Sequence, residues 1–225
     1  MQFLVTDECR RLGLRAGAIF FRDIHIEARS QALADEIRRE AQLVQTRYAG
    51  VEAIHVLPEV TAFQELLRRV GVNPRRDQPS VERLLGYALK RGDLPAVNNL
   101  VDAYNLVSIR SLCSLGAHDL DQIDTPVSLQ LLSGLETFTP LGSDKLLSIN
   151  AGEFGYVDAR GRVLCRLDVM QADFSKVTSA TRNALLIVEG TTAHAPEHLQ
   201  RTMEEVIAVV IEHCRGSAEV QTWPG

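Results

Sequence analysis

The sequence predicts an α+β fold in one compact domain, residues 1–225, with mixed or antiparallel strands and flanking helices. Three observations predict it. Segments with helical periodicity interleave with many short strand-like runs. The runs of the second half are joined by hairpin-like turns, which favours α+β over a doubly wound parallel sheet. No long linker, low-complexity stretch or internal repeat divides the chain, and 225 residues suit one large domain or two small ones.

Taken in order, Met1 to Val5 is an apolar start suited to a strand. Within Gly13 to Ile26, Ile24 and Ile26 alternate with Asp23 and His25, the pattern of a half-buried strand with His25 on the wet face. Glu27 to Tyr48 reads as a helix, with Leu33, Ile37, Ala41 and Val44 on one face and Gly50 as its stop. Val51 to Leu57 reads as another strand and Val60 to Val70 as a second helix. Asn73-Pro74-Arg75-Arg76 is a turn with exposed charge. Pro79 and Ser80 open a third helix, with Val81, Leu84, Leu85, Ala88 and Leu89 at the 3.6 period, and Arg91-Gly92-Asp93 ends it. Leu112 to Asp121 is expected to turn through Gly116 and Asp119, and Val127 to Leu132 suits a strand. Gly134 to Gly142 is a loop or bent strand. Asp158 to Gly161 is a hairpin turn, and Val163 to Leu167 the returning strand. Asp168 to Ala180 is polar and loop-like, and Asn183 to Val188 is a buried strand. Pro196 to Cys214 is a final helix, and Ala218 to Trp223 a closing strand.

Apolar content of 45% with only 5% aromatic residues calls for a mainly aliphatic core. A net charge of −5 gives no overall signal for nucleic acid, but the charge is uneven. Arg68 to Arg91 holds seven basic residues (Arg68, Arg69, Arg75, Arg76, Arg83, Lys90, Arg91) against Asp77 and Glu82, which is +5 beside −10 for the remainder. Such a patch attracts polyanions by counterion release; a solvated face with scattered ion pairs is the alternative. Cys9, Cys113, Cys165 and Cys214 are far apart without a C-x-x-C pair, so reduced, mostly buried thiols of a cytosolic protein are expected. The N-terminus lacks a basic region followed by a long apolar run, so no leader is expected, and no run reaches the length of a bilayer span.

The densest chemistry lies in Ala96 to Leu120, where Asn98, Asn99, Asp102, Tyr104, Asn105, His118 and Asp119 stand among apolar residues. Amides and carboxylates are costly to bury without hydrogen bonds. They either tie elements together or line a polar pocket. Phosphate-loop, dinucleotide, zincin and serine-hydrolase motifs are absent. His194 and His198 lie four apart with Pro196 between them and lack a third ligand. No metal and no cofactor is assigned. Residue types alone lead to an α+β domain with a polar pocket and one basic edge.

The run N-N-L-V-D-A-Y-N-L-V from Asn98, followed by L-G-A-H-D-L from Leu115, resembles the editing domain of the phenylalanyl-tRNA synthetase beta subunit, its B3/B4 tRNA-binding domain. There the pattern runs N-N-V-V-D-I-T-N-Y-V and then P-L-H-A-F-D. Pro79-Ser80 and Arg83-Leu84 fall where that family has S-P and R-L. Val169-Met170, Ser175-x-Val177-Thr178 and Thr181-Arg182 resemble its G-V-M-G-G-x-x-S-x-V-T-x-x-T-R run. The likeness covers residues 68–190, with 1–67 a strand-helix extension and 191–225 a closing helix and strand.

The resemblance implies a freestanding, cytoplasmic B3/B4 module that hydrolyses the ester of a mischarged aminoacyl-tRNA in trans. Its implied partners are aminoacylated tRNA and the amino acid moiety, with no DNA and no membrane. It assigns Asn105, His118 and Asp119 to catalysis, and Asp102, Tyr104, Gly116, Arg166, Asp168, Gln171, Thr181 and Glu189 to substrate binding. Arg75, Arg76, Arg83, Lys90 and Arg91 are assigned to tRNA phosphates. Several positions depart from the family. Tyr104 stands for its pocket threonine, Gly116 for its pocket histidine with His118 two residues on, and Gln171-Ala172 for the double glycine. Leu167-Asp168 replaces its small residues, and Glu189 is a candidate for its pocket glutamate, at a spacing from Thr178 two residues longer. Arg166, Asp168 and Gln171 either suggest a smaller or more polar amino acid than the family's tyrosine or tie down a loop. A non-catalytic RNA- or tRNA-binding module and a pocket for a free amino acid or small metabolite are the alternatives.

Overall fold

The structure is a computed structural model and describes residues 2–221. In chain order the elements are β1 (Phe3–Val5), α1 (Asp7–Leu12), β2 (Leu14–Arg22), α2 (Gln31–Arg47), α3 (Val51–His55), α4 (Pro58–Arg69), α5 (Ser80–Arg91), α6 (Asn99–Ser111), β3 (Ser114–Asp119), β4 (Val127–Leu131), β5 (Phe154–Val157), β6 (Val163–Arg166), β7 (Met170–Gln171), β8 (Ala184–Thr191), α7 (Pro196–Cys214) and β9 (Ser217–Gln221). The architecture is α+β. One sheet has the order β1-β4-β5-β6-β7 and the other β3-β8-β2-β9. Only the β1–β4 pair is parallel among the described strands.

Local sequence explains most boundaries. The Ser30 hydroxyl accepts from the Leu33 N–H at 3.2 Å, starting α2 at Gln31, four residues after the expected Glu27. Leu33, Ile37, Ala41 and Val44 are buried, as the stripe predicts. In α7, Pro196 occupies the first turn, where its missing N–H costs nothing, and Leu199, Met203, Val206, Val210 and Cys214 face the core. Asn98 caps α6 through the Val101 N–H at 2.9 Å. All eight residues of β8 are buried, which makes it the spine of the four-stranded sheet. Helices α5 and α6 pack against β3, and α7 against β2, β8 and β9. At Gly190 a Cβ would lie 2.6 Å from the Leu199 side chain, so α7 approaches β8 closely there. No helix among the described residues is long and apolar enough to cross a membrane.

Several expectations are corrected. Val51 to Leu57 is not a strand: it holds the short helix α3, with Gly50 before it in extended backbone and Pro58 opening α4. The chain does not turn at Gly116, which lies within β3. The strand from Gly13 ends at Arg22, because Asp23 takes a left-handed φ of 54°. Ile24 and Ile26 are still buried around an exposed His25, but outside any strand, with the Ile24 and His25 N–H groups given to the Arg182 and Cys214 carbonyls. Helix α1 is an addition, capped by Thr6 and ended by Gly13 at φ 104°. Of the expected terminal strands, Met1, Thr222 and Trp223 lie outside the described residues.

Candidate functional site

A cavity of about 380 Å³ opens between α5, α6 and the facing edges of the two sheets. Strand parity selects most of its lining, Leu115 of β3 being the exception. Side chains alternate along a strand, and directly opposed residues share a face. Ser114, Gly116 and His118 of β3 therefore point one way, and their partners include Glu189 opposite Ser114 and Ile187 opposite Gly116. From the other sheet come Tyr156 of β5 and Cys165 of β6, again directly opposed. Helix α6 adds Tyr104 and Asn105; α5 adds Ser80, Arg83, Leu84 and Tyr87; the segment after β6 adds Asp168, Val169 and Gln171. A Cβ on Gly116 would meet no atom within 4 Å, so this glycine leaves space in the cavity wall.

The lining is acidic and mostly hydrogen-bonded. The Ser80 hydroxyl lies 2.9 Å from Ser114 Oγ and 3.3 Å from an oxygen of Asp168. Leu167 and Asp168 both take left-handed φ, 59° and 58°. Two successive non-glycine residues there store strain of about 1–2 kcal/mol each. Burial raises the Asp168 carboxyl to about 7, while the Ser114 and Ser80 hydroxyls and the charge of Arg83 pull it down. Glu189 is pushed well above the ordinary carboxylate range, first by burial and then by the charge of Asp168. The Tyr156 hydroxyl donates to Glu189 Oε2, and Oε1 is buried without a partner.

The His118 ring is buried, and its Nδ1 lies 3.0 Å from Ser175 Oγ. Burial lowers its pKa to about 3, so it is a neutral imidazole at neutral pH. Burial also raises the Tyr104 hydroxyl and the Cys165 thiol. Tyr104 is thus a neutral donor and Cys165 an inert thiol rather than a nucleophile. Asn105, half-buried at the cavity, makes no side-chain hydrogen bond among the described residues.

The sequence-predicted residues divide sharply. Asn105, Tyr104, Gly116, His118, Asp168, Gln171, Glu189 and Arg83 line the cavity. Asp102, Asp119, Thr181 and Arg166 do not. Asp102 is fully buried against Arg29, which reaches it through Nε at 2.7 Å. Asp119, of opposite parity to His118, caps the turn at Leu120–Gln122 and accepts from the Thr181 hydroxyl at 2.5 Å. Arg166, of opposite parity to Cys165, forms a two-pronged pair with Glu153. Asn99 ties the Glu27 N–H to the carbonyls of His25 and His213. Gln171 donates to the Ala117 carbonyl at 2.9 Å. His194 and His198 reach the carbonyls of Leu112 and Ser111 and so cap α6. Arg75, Arg76, Lys90 and Arg91 are exposed, Arg76 beside Asp77 at 2.9 Å. Arg83, at the cavity mouth, donates to the Val169 carbonyl at 3.1 Å.

Sequence reasoning missed Ser80, Ser114, Tyr87, Tyr156 and Cys165 as lining residues. The available signal was alternation: once His118 is placed in a cavity, Ser114 follows on the same face of β3, and once Cys165 is placed there, Tyr156 follows across the ladder.

Comparison with known proteins places this geometry. No curated protein matches the chain. Among solved structures, an N-terminal fragment of the phenylalanyl-tRNA synthetase beta subunit from Pyrococcus horikoshii is similar with a TM-score of 0.50 at 12% identity, over 100% of this chain and 54% of that one. The chain thus spans about half the length of that fragment, and at this identity the likeness is one of fold. The model of the B3/4 domain matches residues 62–215, a range that holds every residue lining the cavity. On that match, the chain belongs to the B3/4 domain family.

Proposed function

We propose that the chain is a tRNA-associated hydrolase that cleaves the ester of a mischarged aminoacyl-tRNA. The observation that carries the reading is the cavity itself: about 380 Å³, with Asn105, Tyr104 and His118 from the polar central stretch on its wall. Cavities of about 300–1,000 Å³ hold small ligands, and an amino acid with its ester linkage is at the small end of that class. The family match and the fold shared with a synthetase fragment support the same reading.

The chemistry asked of the site is modest, because an aminoacyl ester is already activated. Water adds to the acyl carbon, the bond to the ribose oxygen breaks, and the proton passes to the leaving hydroxyl. A neighbouring ribose hydroxyl assists that transfer. The cavity supplies orientation and hydrogen bonds to the developing oxyanion. Asn105, with its amide unpaired, and the neutral donors Tyr104 and His118 fill those roles. Nucleophilic catalysis is not invoked, since the Cys165 thiol is held protonated by burial. The exposed charges of Arg75, Arg76, Lys90 and Arg91, with Arg83 at the mouth, meet tRNA phosphates. This reading places the chain in the cytosol with its substrate.

The test is release of amino acid from a panel of mischarged tRNAs by wild type and Asn105→Ala. We expect release from at least one, with a loss of about tenfold or more in the variant, equivalent to about 1.4 kcal/mol, at unchanged circular dichroism. Salt-dependent tRNA binding without release from any member would favour a binding-only module. Stabilisation by a free amino acid but not by tRNA would favour a metabolite pocket.

A further inference from the structure

We propose that the cavity recognises its ligand through a primary ammonium group held between Asp168 and Glu189. This deepens the reading above and rests on the cavity being the substrate site. The two carboxyl groups come from different elements, the segment after β6 and the buried strand β8, and they interact across the same space. Glu189 is only 1% exposed, and its Oε1 has no hydrogen-bond partner. An orphaned buried oxygen is destabilising, and a ligand donor reaching it would remove that cost.

The charge balance points the same way. The titratable or charged groups on the cavity wall around the pair are Arg83 and Tyr87 from α5, Tyr104 from α6, His118 from β3, Tyr156 from β5 and Cys165 from β6. Only Arg83 is cationic, and it is exposed at the mouth with one nitrogen given to the Val169 carbonyl. Two acids therefore face one cavity beside a single cation. Burial and their mutual repulsion hold protons on them while the cavity is empty, and a cation bound between them would displace those protons. A neutral hydroxyl or a carboxylate ligand would not. An ammonium brings three donors and one positive charge, enough to satisfy Asp168 and Glu189 Oε1 together. It also explains the strained backbone at Asp168, which presents that carboxyl to the cavity.

The ammonium has two chemical sources, the α-amino group of an aminoacyl ester or a basic side chain. Three amides that cannot be hydrolysed as esters separate them: norleucinamide, N-acetylnorleucinamide and Nα-acetyllysinamide, each titrated calorimetrically into the wild-type chain. Binding of norleucinamide, about tenfold or more tighter than N-acetylnorleucinamide, supports recognition of the α-ammonium. Binding of Nα-acetyllysinamide in its place supports a side-chain ammonium. Glu189→Gln and Asp168→Asn, isosteric and neutral, should each abolish that preference. Equal binding of all three amides overturns the proposal, as does failure of all three to bind at millimolar concentration. The proposed activity fails separately. Ammonium-selective binding without deacylation removes the hydrolase and leaves this inference. Equal cleavage of N-acetylated and free aminoacyl-tRNA, with equal binding of the three amides, removes this inference and leaves the hydrolase.

Discussion

Replacing Asp102 with alanine should destabilise the fold rather than act on the substrate directly. The Asp102 side chain is fully buried, accepts from Arg29 Nε at 2.7 Å and from the Val97 N–H at 3.0 Å. The Arg29 side chain, 10% exposed, also reaches Asp93 at 3.1 Å and the carbonyls of Leu94 and Pro95. Removing one member of a buried ion pair costs about 3–5 kcal/mol, because the other charge is left behind. Here Asp93 still offsets the guanidinium, and the Val97 amide, on an exposed residue, can turn to water. The lower end, about 3 kcal/mol, is therefore expected. For a chain of this size that is a fall in Tm of about 6–12 °C. Urea and thermal unfolding followed by circular dichroism measure it. Asp93→Ala is the control: its side chain is 40% exposed, and loss of such a pair costs about 1 kcal/mol or less. Equal, small losses in the two variants would refute the reasoning and return Asp102 to the ligand. Because Arg29 also holds the Pro95 carbonyl, and Pro95 lines the cavity, some loss of ligand affinity should accompany the destabilisation.

Two further outcomes follow from the charges. The folded state holds the Asp168 proton up to about 7, whereas the free side chain loses it near 3.8. Folded protein therefore binds more protons than unfolded protein between those values, and this group's stabilisation is full below about 3.8 and lost as pH rises through about 7. Urea midpoints between pH 4 and 8 should fall less steeply in Asp168→Asn than in wild type; parallel profiles would contradict the burial of a protonated Asp168. On the proposed tRNA surface, the double variant Arg75→Ala, Arg76→Ala should weaken binding and reduce the slope of log K against log salt by about 1.5, the loss of two phosphate contacts. Filter binding across a salt series reads it, and an unchanged slope would move the contact surface elsewhere.

How much was legible depended on whether the signal was local. Helix α7 carries its start in Pro196 and its buried face in a clean helical stripe, so both could be read directly. The β5–β6 hairpin was legible for the same reason. Asp158 accepts the N–H groups of Arg160 and Arg162 and so forms the turn itself. The segment at Val51 was misread because Val51, Ile54 and Val56 favour strands, while no strand lies beside it to complete a ladder; α3 packs on α4 and α5 instead. The turn expected at Gly116 rested on glycine and nearby polar residues. Those residues belong to one strand whose polar side chains point to opposite faces, His118 toward the cavity and Asp119 toward Thr181.

The same limit governed the site. The central stretch is rich in polar residues, but residue type does not separate Asn98, Asn99 and Asp102, which brace α6, from Tyr104 and Asn105, which line the cavity. Helix phase and the position of Arg29, more than seventy residues earlier, decide that division. Arg166 was misassigned for want of a strand register, since a shift of one residue exchanges it with Cys165. Tyr156 and Glu189 meet only because β5 and β8, from different sheets, face one another across the cavity.

Deacylation by a chain whose cavity has been filled in place probes the account where it is most exposed. Gly116→Val adds a β-branched side chain to a strand position with open space before it, so folding should be retained. Across a panel of mischarged tRNAs, wild type should release at least one amino acid faster than buffer, and the filled variant should release none. Release that is undiminished in a folded Gly116→Val chain, or a wild type that accelerates no member of the panel, would contradict a cavity that takes an esterified amino acid.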